Sequence, residues 1–355
     1  MEEFTKKPSV LSAYREQLES DNPYDVGSDL LRGEVKPTGE ESDLQTLRPK
    51  RSLGWTSGDG AKGILKYAAN PTKRVPTGLW PIDNLIGGGV GRGEVCVIIG
   101  KSGSGKSIVG QNILENNLKI PSVFFSFEMP GTMLMTRSIA LWSNRSHNSI
   151  FNMIETNTID EDMLDAWQDA HSNHFFVTKT GFNLDAMTQA LKEAEENLGE
   201  KPAMVVVDYM ELVAAAGGDS TIDNVTNVAQ VLKGWAKEQE VACIVLHQTN
   251  KSLKHGDAPH EDAARYGGFT EADIVIGVWR PHKWFPTNKG EQPMQEIAIN
   301  YLKNFIGINL IKNRPKIELH EQGYLVPILE SGKLEAPAGK ILENVAIGGG
   351  GGGPF

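Results

Sequence analysis

The sequence has few cysteines, few aromatic residues and a deficit of positive charge. Of its 355 residues, two are cysteine and 7% are aromatic, and 35 Lys and Arg stand against 45 Asp and Glu. Cys96 and Cys243 each lie inside a β-branched run, which predicts two buried strand residues and excludes a disulfide framework or a zinc finger. The net charge of −10 excludes a protein whose whole surface coats nucleic acid, although it allows a narrow basic channel.

Long hydrophobic runs are also missing. No apolar stretch approaches the ~18 residues that a membrane-spanning helix requires. The first ten residues, MEEFTKKPSV, lack the apolar core of a secretory signal and the pattern of a transit peptide. We therefore expect no membrane partner and a cytoplasmic location.

Composition separates the two ends of the chain from its centre. Residues 1–70 are rich in Gly, Pro, Ser and mixed charge, which predicts a partly flexible arm or linker. Within this arm only residues 10–18 carry apolar side chains at helical spacing, and a solvated arm explains them equally well. Residues 331–355 end in a glycine run followed by Pro354 and Phe355, which predicts a disordered tail.

Residues 71–330 alternate β-branched runs with helical stretches. This rhythm predicts an α/β domain with a mostly parallel sheet, because parallel strands need crossover helices between them. After Gln295 the apolar runs follow one another closely, which predicts antiparallel strands added at the edge of the sheet. The expected edge strands lie within residues 296–304, 307–315 and 323–330.

A phosphate-binding motif follows the first long apolar run of this domain. Residues 100–107 read GKSGSGKS, which matches G-x-x-x-x-G-K-[ST] between a strand and a helical pattern. Backbone N–H groups of such a loop surround a phosphate, the lysine reaches the outer phosphate oxygens and the serine hydroxyl binds Mg²⁺. A chance glycine-rich turn is the alternative explanation. The residues expected to bind nucleotide are Gly100, Ser102, Gly103, Ser104, Gly105, Lys106 and Ser107.

Three polar residues at strand ends complete the predicted chemistry. Asp208 ends the run AMVVVD and is the second expected Mg²⁺ ligand beside Ser107, unless it merely caps its strand. Glu128 follows SVFFSF and is the expected general base for water, unless it is an ordinary surface residue. Gln248 ends VACIVLHQ, and its amide would sense the terminal phosphate, unless it is a loop residue.

Read together, these segments resemble the ATPase domain of DnaB-type replicative helicases, a RecA-like family of P-loop NTPases. The resemblance runs from about Val75 to Ile317. Its five segments are TGLWPIDNLIGGGVGRGE from Thr77, SFEMP from Ser126, VVVDYMELV from Val205, VLHQTNKS from Val245 and LIKNRP from Leu310. The family usually has Asn-Gly after its arginine, whereas Pro315 follows Arg314 here. A short arm stands where the family has a collar domain, which indicates a shortened, phage-like version, in a host cytoplasm if a phage encodes it.

The resemblance implies ATP with Mg²⁺ as the bound cofactor and a homo-oligomer, expected to be a hexameric ring, with primase or a loader as further possible partners. Lys312 and Arg314 match the family's cations that reach a neighbouring subunit's phosphate, and on a strand both would point to one face. A solvated basic edge strand is the alternative. Single-stranded DNA is expected at flexible loops after Asp208 and Gln248. The expected DNA contacts are the three loop cations (Lys251, Lys254 and Arg265) and the glycines Gly267 and Gly268.

The sequence thus predicts an ATP hydrolase, a ring-forming DNA helicase that translocates on single-stranded DNA during replication. A RecA-like recombination or strand-annealing ATPase is the first alternative. A regulatory ring resembling the clock ATPases, which binds proteins and not DNA, is the second.

Overall fold

The structure is a computed structural model that describes about two thirds of the chain. The described residues are 56–70, 73–179, 183–208, 221–249, 253, 256–260, 271–284, 300–315 and 323–335. The chain divides into two compact units, Met1–Lys62 and Gly63–Phe355. Helix α1 (Ser57–Ala69) lies in the predicted arm, crosses the boundary between the units and has no buried residue.

The centre of the second unit is a twisted sheet of eight strands. Its order is β10-β9-β8-β3-β7-β6-β4-β5, and a separate two-stranded ribbon pairs β1 with β2. Neighbouring strands from β8 to β5 pair in parallel, whereas β9 is antiparallel to both β8 and β10. The predicted α/β class, parallel sheet and antiparallel edge are therefore confirmed. The strands are β1 (Arg74–Val75), β2 (Val90–Gly91), β3 (Val95–Gly100), β4 (Ser122–Ser126), β5 (His174–Val177), β6 (Met204–Asp208), β7 (Ala242–Gln248), β8 (Ile274–Trp279), β9 (Phe305–Asn313) and β10 (Gly323–Pro327).

Helices cover both faces of the sheet, which explains why its strands read as continuous apolar runs. Cys96 and Ile98 of β3 pack with helices α3 (Lys106–Glu115) and α4 (Gly131–Ser143) in one core. Val95, Val97 and Ile99 point to the other face and pack with α7 (Leu184–Leu198) and α8 (Thr221–Gln239) in a second core. Cys96 and Cys243 are buried, unbonded residues of β3 and β7, as predicted. The remaining helices are α2 (Trp80–Leu85), α5 (His147–Glu155) and α6 (Glu161–Ala170).

The structure differs from the sequence prediction in several places. Helices α5 and α6 were not predicted, although Ser146 and Asp160 cap their N-termini with side-chain hydrogen bonds to Ser149 N and Asp162 N. The predicted strand at 296–304 is wrong for its described part, because residues 300–302 are helical and residues 303–304 form a turn. The helical backbone of this part cannot pair with a neighbouring strand, because its N–H groups bond within the turn, as the N–H of Asn304 does to Tyr301 O.

Beyond β10 the described chain continues as far as Glu335 and stays in contact with the domain. Leu334 is buried, its backbone N–H donates to Asn112 Oδ1 at 2.8 Å, and Asn112 Nδ2 donates to Gly332 O at 3.0 Å. Residues 331–335, which composition alone assigns to the tail, therefore pack onto helix α3.

Candidate functional site

The glycine-rich loop between β3 and α3 is shaped to surround an anion. Gly103 and Gly105 have φ values of 70° and 104°, which only glycine adopts readily. A Cβ atom on Gly105 would also come within 2.9 Å of Ile306 Cδ1. Gly105 is the N-cap of α3, so the free N–H groups and the positive end of the helix dipole both face the loop.

Lys106 and Ser107 begin helix α3 beside this loop. The ammonium of Lys106 donates to the carbonyl oxygens of Gly100 at 2.9 Å and Lys101 at 3.1 Å, so it lies directly under the turn. Ser107 forms a side-chain hydrogen bond with Asp208. The two residues predicted as Mg²⁺ ligands are therefore in contact, although 101 positions separate them in the chain.

Asp208 is a buried carboxylate at the end of β6. Burial raises its pKa to about 6, Ser107 and the charges of Lys106 and Arg137 oppose the rise, and Glu128 adds to it. Its Oδ2 atom is buried and has no hydrogen-bond partner. A divalent cation would relieve this destabilised carboxylate, so the donor set fits a metal.

The metal that this donor set suits best is one that needs few protein ligands. Among the described parts of the chain, no group of three or more His, Cys, Asp or Glu residues is arranged to hold a metal ion. Mg²⁺ retains several waters and takes one or two protein oxygens together with phosphate oxygens. The Ser107 and Asp208 pair matches that requirement.

Glu128 and Gln248 reach the same place from different strands. Gln248 ends β7 and pairs in register with Gly100, the first residue of the loop. Glu128 is exposed and lies two residues beyond the end of β4. In chain order β4 follows β3, but in the sheet β7 and β6 lie between them. Both side chains nevertheless line one cavity with Asp208 and the loop.

This cavity has a volume of about 720 Å³ and a positive balance of charge. Such a volume is within the range of small-molecule and cofactor sites, roughly 300–1,000 Å³. Four positively charged side chains and two carboxylates, those of Glu128 and Asp208, line the cavity. The cations are Lys106, Arg137, Arg280 and Lys283.

Three of those cations, and His282, were not predicted from the sequence. Arg280 follows β8, which is parallel to β3 and adjacent to it, so the strand-end reasoning that finds Gln248 also applies to Arg280. That reasoning requires knowledge of the strand order. Arg137 comes from the middle of α4, and its guanidinium contacts the Met129 sulfur at 2.9 Å, a position that no sequence signal identifies.

Arg314 lies at the opposite end of the sheet from the loop of its own chain, and Lys312 lies near that end on β9, beside Val275 of β8. The Arg314 N–H donates to Asp273 O, and the Asp273 N–H donates to Val95 O at the start of β3. Five residue steps of about 3.3 Å separate Val95 from Gly100, which places the two ends roughly 17 Å apart. Strand β9 ends at Asn313, so Arg314 belongs to the following turn and the predicted sharing of one strand face does not extend to it.

The predicted DNA contacts lie outside the described residues. This applies to the three loop cations, Gly267 and Gly268. The described residues Leu253 and Pro259 lie between these positions in the sequence. Leu253 is buried, and Pro259 O accepts a hydrogen bond from Asn309 Nδ2 of β9 at 2.9 Å. A search of the described helices finds none that combines the length and apolar character needed to cross a membrane.

Comparison with protein families matches residues 74–314 to the DnaB-like helicase C terminal domain. The replicative DNA helicase DnaB of Haemophilus influenzae is 27% identical over 317 residues, which cover 79% of this chain and 66% of that protein. Its counterpart in Pasteurella multocida is 26% identical over 242 residues, which cover 65% of this chain and 51% of the relative. This chain thus spans between about half and two thirds of the length of these relatives.

Solved structures share the fold. One is a DnaB-like replicative helicase studied with its interactions with primase, with a TM-score of 0.61 and 17% identity over 79% of this chain and 67% of that one. Another is an ATPase domain, with a TM-score of 0.65 and 17% identity over 80% of this chain and 99% of that domain. At these identities the likeness concerns the RecA-like fold alone.

Proposed function

This chain belongs to the DnaB-like helicase C-terminal domain family, and we propose that it is an ATP-hydrolysing motor that forms a ring on single-stranded DNA and separates duplex during replication. The observation that carries the proposal is a single positively balanced cavity. It brings together the glycine-rich loop, the buried Asp208, Glu128 and Gln248. A site that only bound nucleotide would need the loop but would not need a carboxylate such as Glu128 in the same cavity to act as a general base.

In this proposal ATP and Mg²⁺ occupy the cavity. The loop N–H groups and Lys106 would bind the phosphates, and Ser107 and Asp208 would hold the metal. Bound Mg²⁺ would supply charge neutralisation at the phosphate oxygens. The unpartnered Oδ2 of Asp208 and its hydrogen bond to Ser107 support this assignment.

Hydrolysis would depend on residues at the open side of the cavity. Glu128 is exposed there, so its carboxylate can accept a proton from a water molecule and return it to solvent. Gln248 can donate and accept hydrogen bonds at once, which suits an amide that orients that water or senses the terminal phosphate. Lys106 holds the phosphates in position throughout.

A ring is proposed because Lys312 and Arg314 cannot serve the site of their own chain. Arg314 lies roughly 17 Å from the loop along the direction of β3. Lys312 is level with Val97 across β8, which places it about 10 Å from the loop along the strands and two strands to the side. Both separations exceed the reach of the side chain. A cation supplied by a neighbouring subunit would instead stabilise charge on the transferring phosphoryl group. A hexamer follows from the family resemblance, and the segment carrying the three loop cations would face the DNA in its channel.

An unwinding assay with a forked DNA substrate tests this function. The protein should separate the strands only with ATP and Mg²⁺, and single-stranded DNA should stimulate its ATPase. Lys106→Ala should abolish both activities, because the variant lacks the ammonium at the start of helix α3 that would bind the outer phosphate oxygens. Assembly on DNA without unwinding would support a recombination or annealing ATPase, and ATPase without DNA stimulation would support a protein-binding ring. Either result would overturn the helicase proposal.

As for partners, the solved helicase noted above interacts with primase. We propose primase or a loader as a partner of this chain as well, to be tested by co-purification. A cytoplasmic location remains part of the same proposal.

A further inference from the structure

The short turn after β8 brings positive charge onto the phosphate loop. Strand β8 runs parallel to β3 and beside it, so both strands end at the same edge of the sheet. The chain then forms a 3₁₀ turn, Pro281–Trp284. Three polar residues on either side of Pro281 line the same cavity as Lys106, namely Arg280, His282 and Lys283.

Lys283 is the member of this group that contacts the loop directly. Its Nζ donates to the carbonyl oxygen of Gly103 at 3.2 Å. A Cβ atom placed on Gly103 would lie 3.2 Å from the same nitrogen, so the ammonium covers the outer side of the turn. Lys283 is exposed, and an ammonium with three donors keeps others available after this one bond.

The two neighbouring groups are less suited to meet an anion. Arg280 is half-buried and its Nη2 donates to Lys303 O at 3.0 Å, which directs the guanidinium toward the start of β9. Burial, followed by the surrounding cations, lowers the pKa of His282, so its ring is neutral near neutral pH. Lys283 therefore supplies the mobile positive charge of the turn.

We propose that Lys283 is a second phosphate-binding lysine, which acts on the nucleotide of its own subunit from outside the glycine-rich loop. It would bind oxygens of the phosphates beyond the first and would release Gly103 O when it does so. This inference rests on the proposed nucleotide-binding function. It predicts a preference for nucleotides with more phosphate charge, because the ammonium lies against the phosphate loop.

Equilibrium binding of fluorescent ATP, ADP and AMP analogues in the presence of Mg²⁺ tests the proposal. Lys283→Ala should weaken ATP binding about tenfold, weaken ADP binding less and leave AMP binding unchanged, as expected for the loss of one charge-assisted hydrogen bond. Added salt should shrink the difference. Lys283→Arg should restore most of the affinity.

Lys303→Ala is the matched control. Lys303 is an exposed lysine near the same turn. Its ammonium donates to Asn300 Oδ1, three residues away, and Lys303 is not among the residues that line the cavity. ATP binding should be unchanged in this variant, and thermal unfolding without nucleotide should be unchanged in both. Equal ATP affinity in wild type and Lys283→Ala would overturn the inference, as would equal weakening by Lys303→Ala. Failure of the wild-type protein to bind ATP would instead overturn the proposed function.

Discussion

Replacing Asp208 with Asn should stabilise the fold while it removes metal-dependent binding. The carboxylate is buried, its Oδ2 has no partner, and burial raises its pKa from 3.8 to about 6. Because the pKa in the folded state exceeds that in the unfolded state, the group's stabilising contribution is fully present below pH 3.8. That contribution is lost as the pH rises through 6, so at neutral pH the charged group opposes folding.

The magnitude follows from the size of the shift. Two pKa units correspond to about 3 kcal/mol, at 1.36 kcal/mol per unit. The Asn amide oxygen can still accept from Ser107. Its NH₂ group, however, would be a buried donor without a partner, which lowers the free energy of unfolding by about 1 kcal/mol. We therefore expect the free energy of unfolding of Asp208→Asn to exceed that of the wild type by about 2 kcal/mol near neutral pH.

Chemical denaturation without nucleotide or metal measures this difference. The gain should be present near neutral pH and absent below about pH 4, where the wild-type carboxyl is protonated. Asp165→Asn, an exposed position on α6, is the control and should show no such pH dependence. ATP with Mg²⁺ should stabilise the wild type and not Asp208→Asn. A variant that is less stable than the wild type near neutral pH would refute the reasoning.

Three further predictions concern turnover and DNA. Glu128→Gln should keep ATP binding and lose turnover by about 10²–10⁴-fold, since it removes a base and preserves shape; wild-type hydrolysis would locate the base elsewhere. Arg314→Ala should bind ATP but not hydrolyse it, and mixing it with Lys106→Ala should restore part of the ATPase, because some mixed interfaces have both a sound loop and a sound arginine. No recovery in confirmed mixed rings would favour action in cis. Alanine at all three loop cations should lower the slope of log affinity for single-stranded DNA against log salt by about two units, at roughly 0.7 per phosphate contact. An unchanged slope would move the DNA site elsewhere.

The parts of the site that one continuous segment forms could be predicted from the sequence. The glycine-rich loop, Lys106 and Ser107 occupy eight consecutive residues, so their mutual geometry depends on local backbone preferences. Asp208 and Gln248 could also be predicted, because each is a polar residue at the carboxyl end of a buried parallel strand. The same apolar runs identified the α/β class, since strands covered on both faces contain few polar residues.

Strand order and chain direction could not be predicted in this way. An apolar run looks the same whichever neighbours its strand has, so nothing local shows that β8 lies beside β3 and brings Arg280 and Lys283 to the loop. The reversal of β9 likewise directs Arg314 to the opposite end of the sheet. The contact between Ser107 and Asp208 also depends on strand order, because β7 alone separates β6 from β3 in the sheet. The sequence by itself determined the phosphate loop and the class of fold, because both follow from local pattern. Only the tertiary structure decided which distant cations share the cavity, because that depends on the order in which the strands pair.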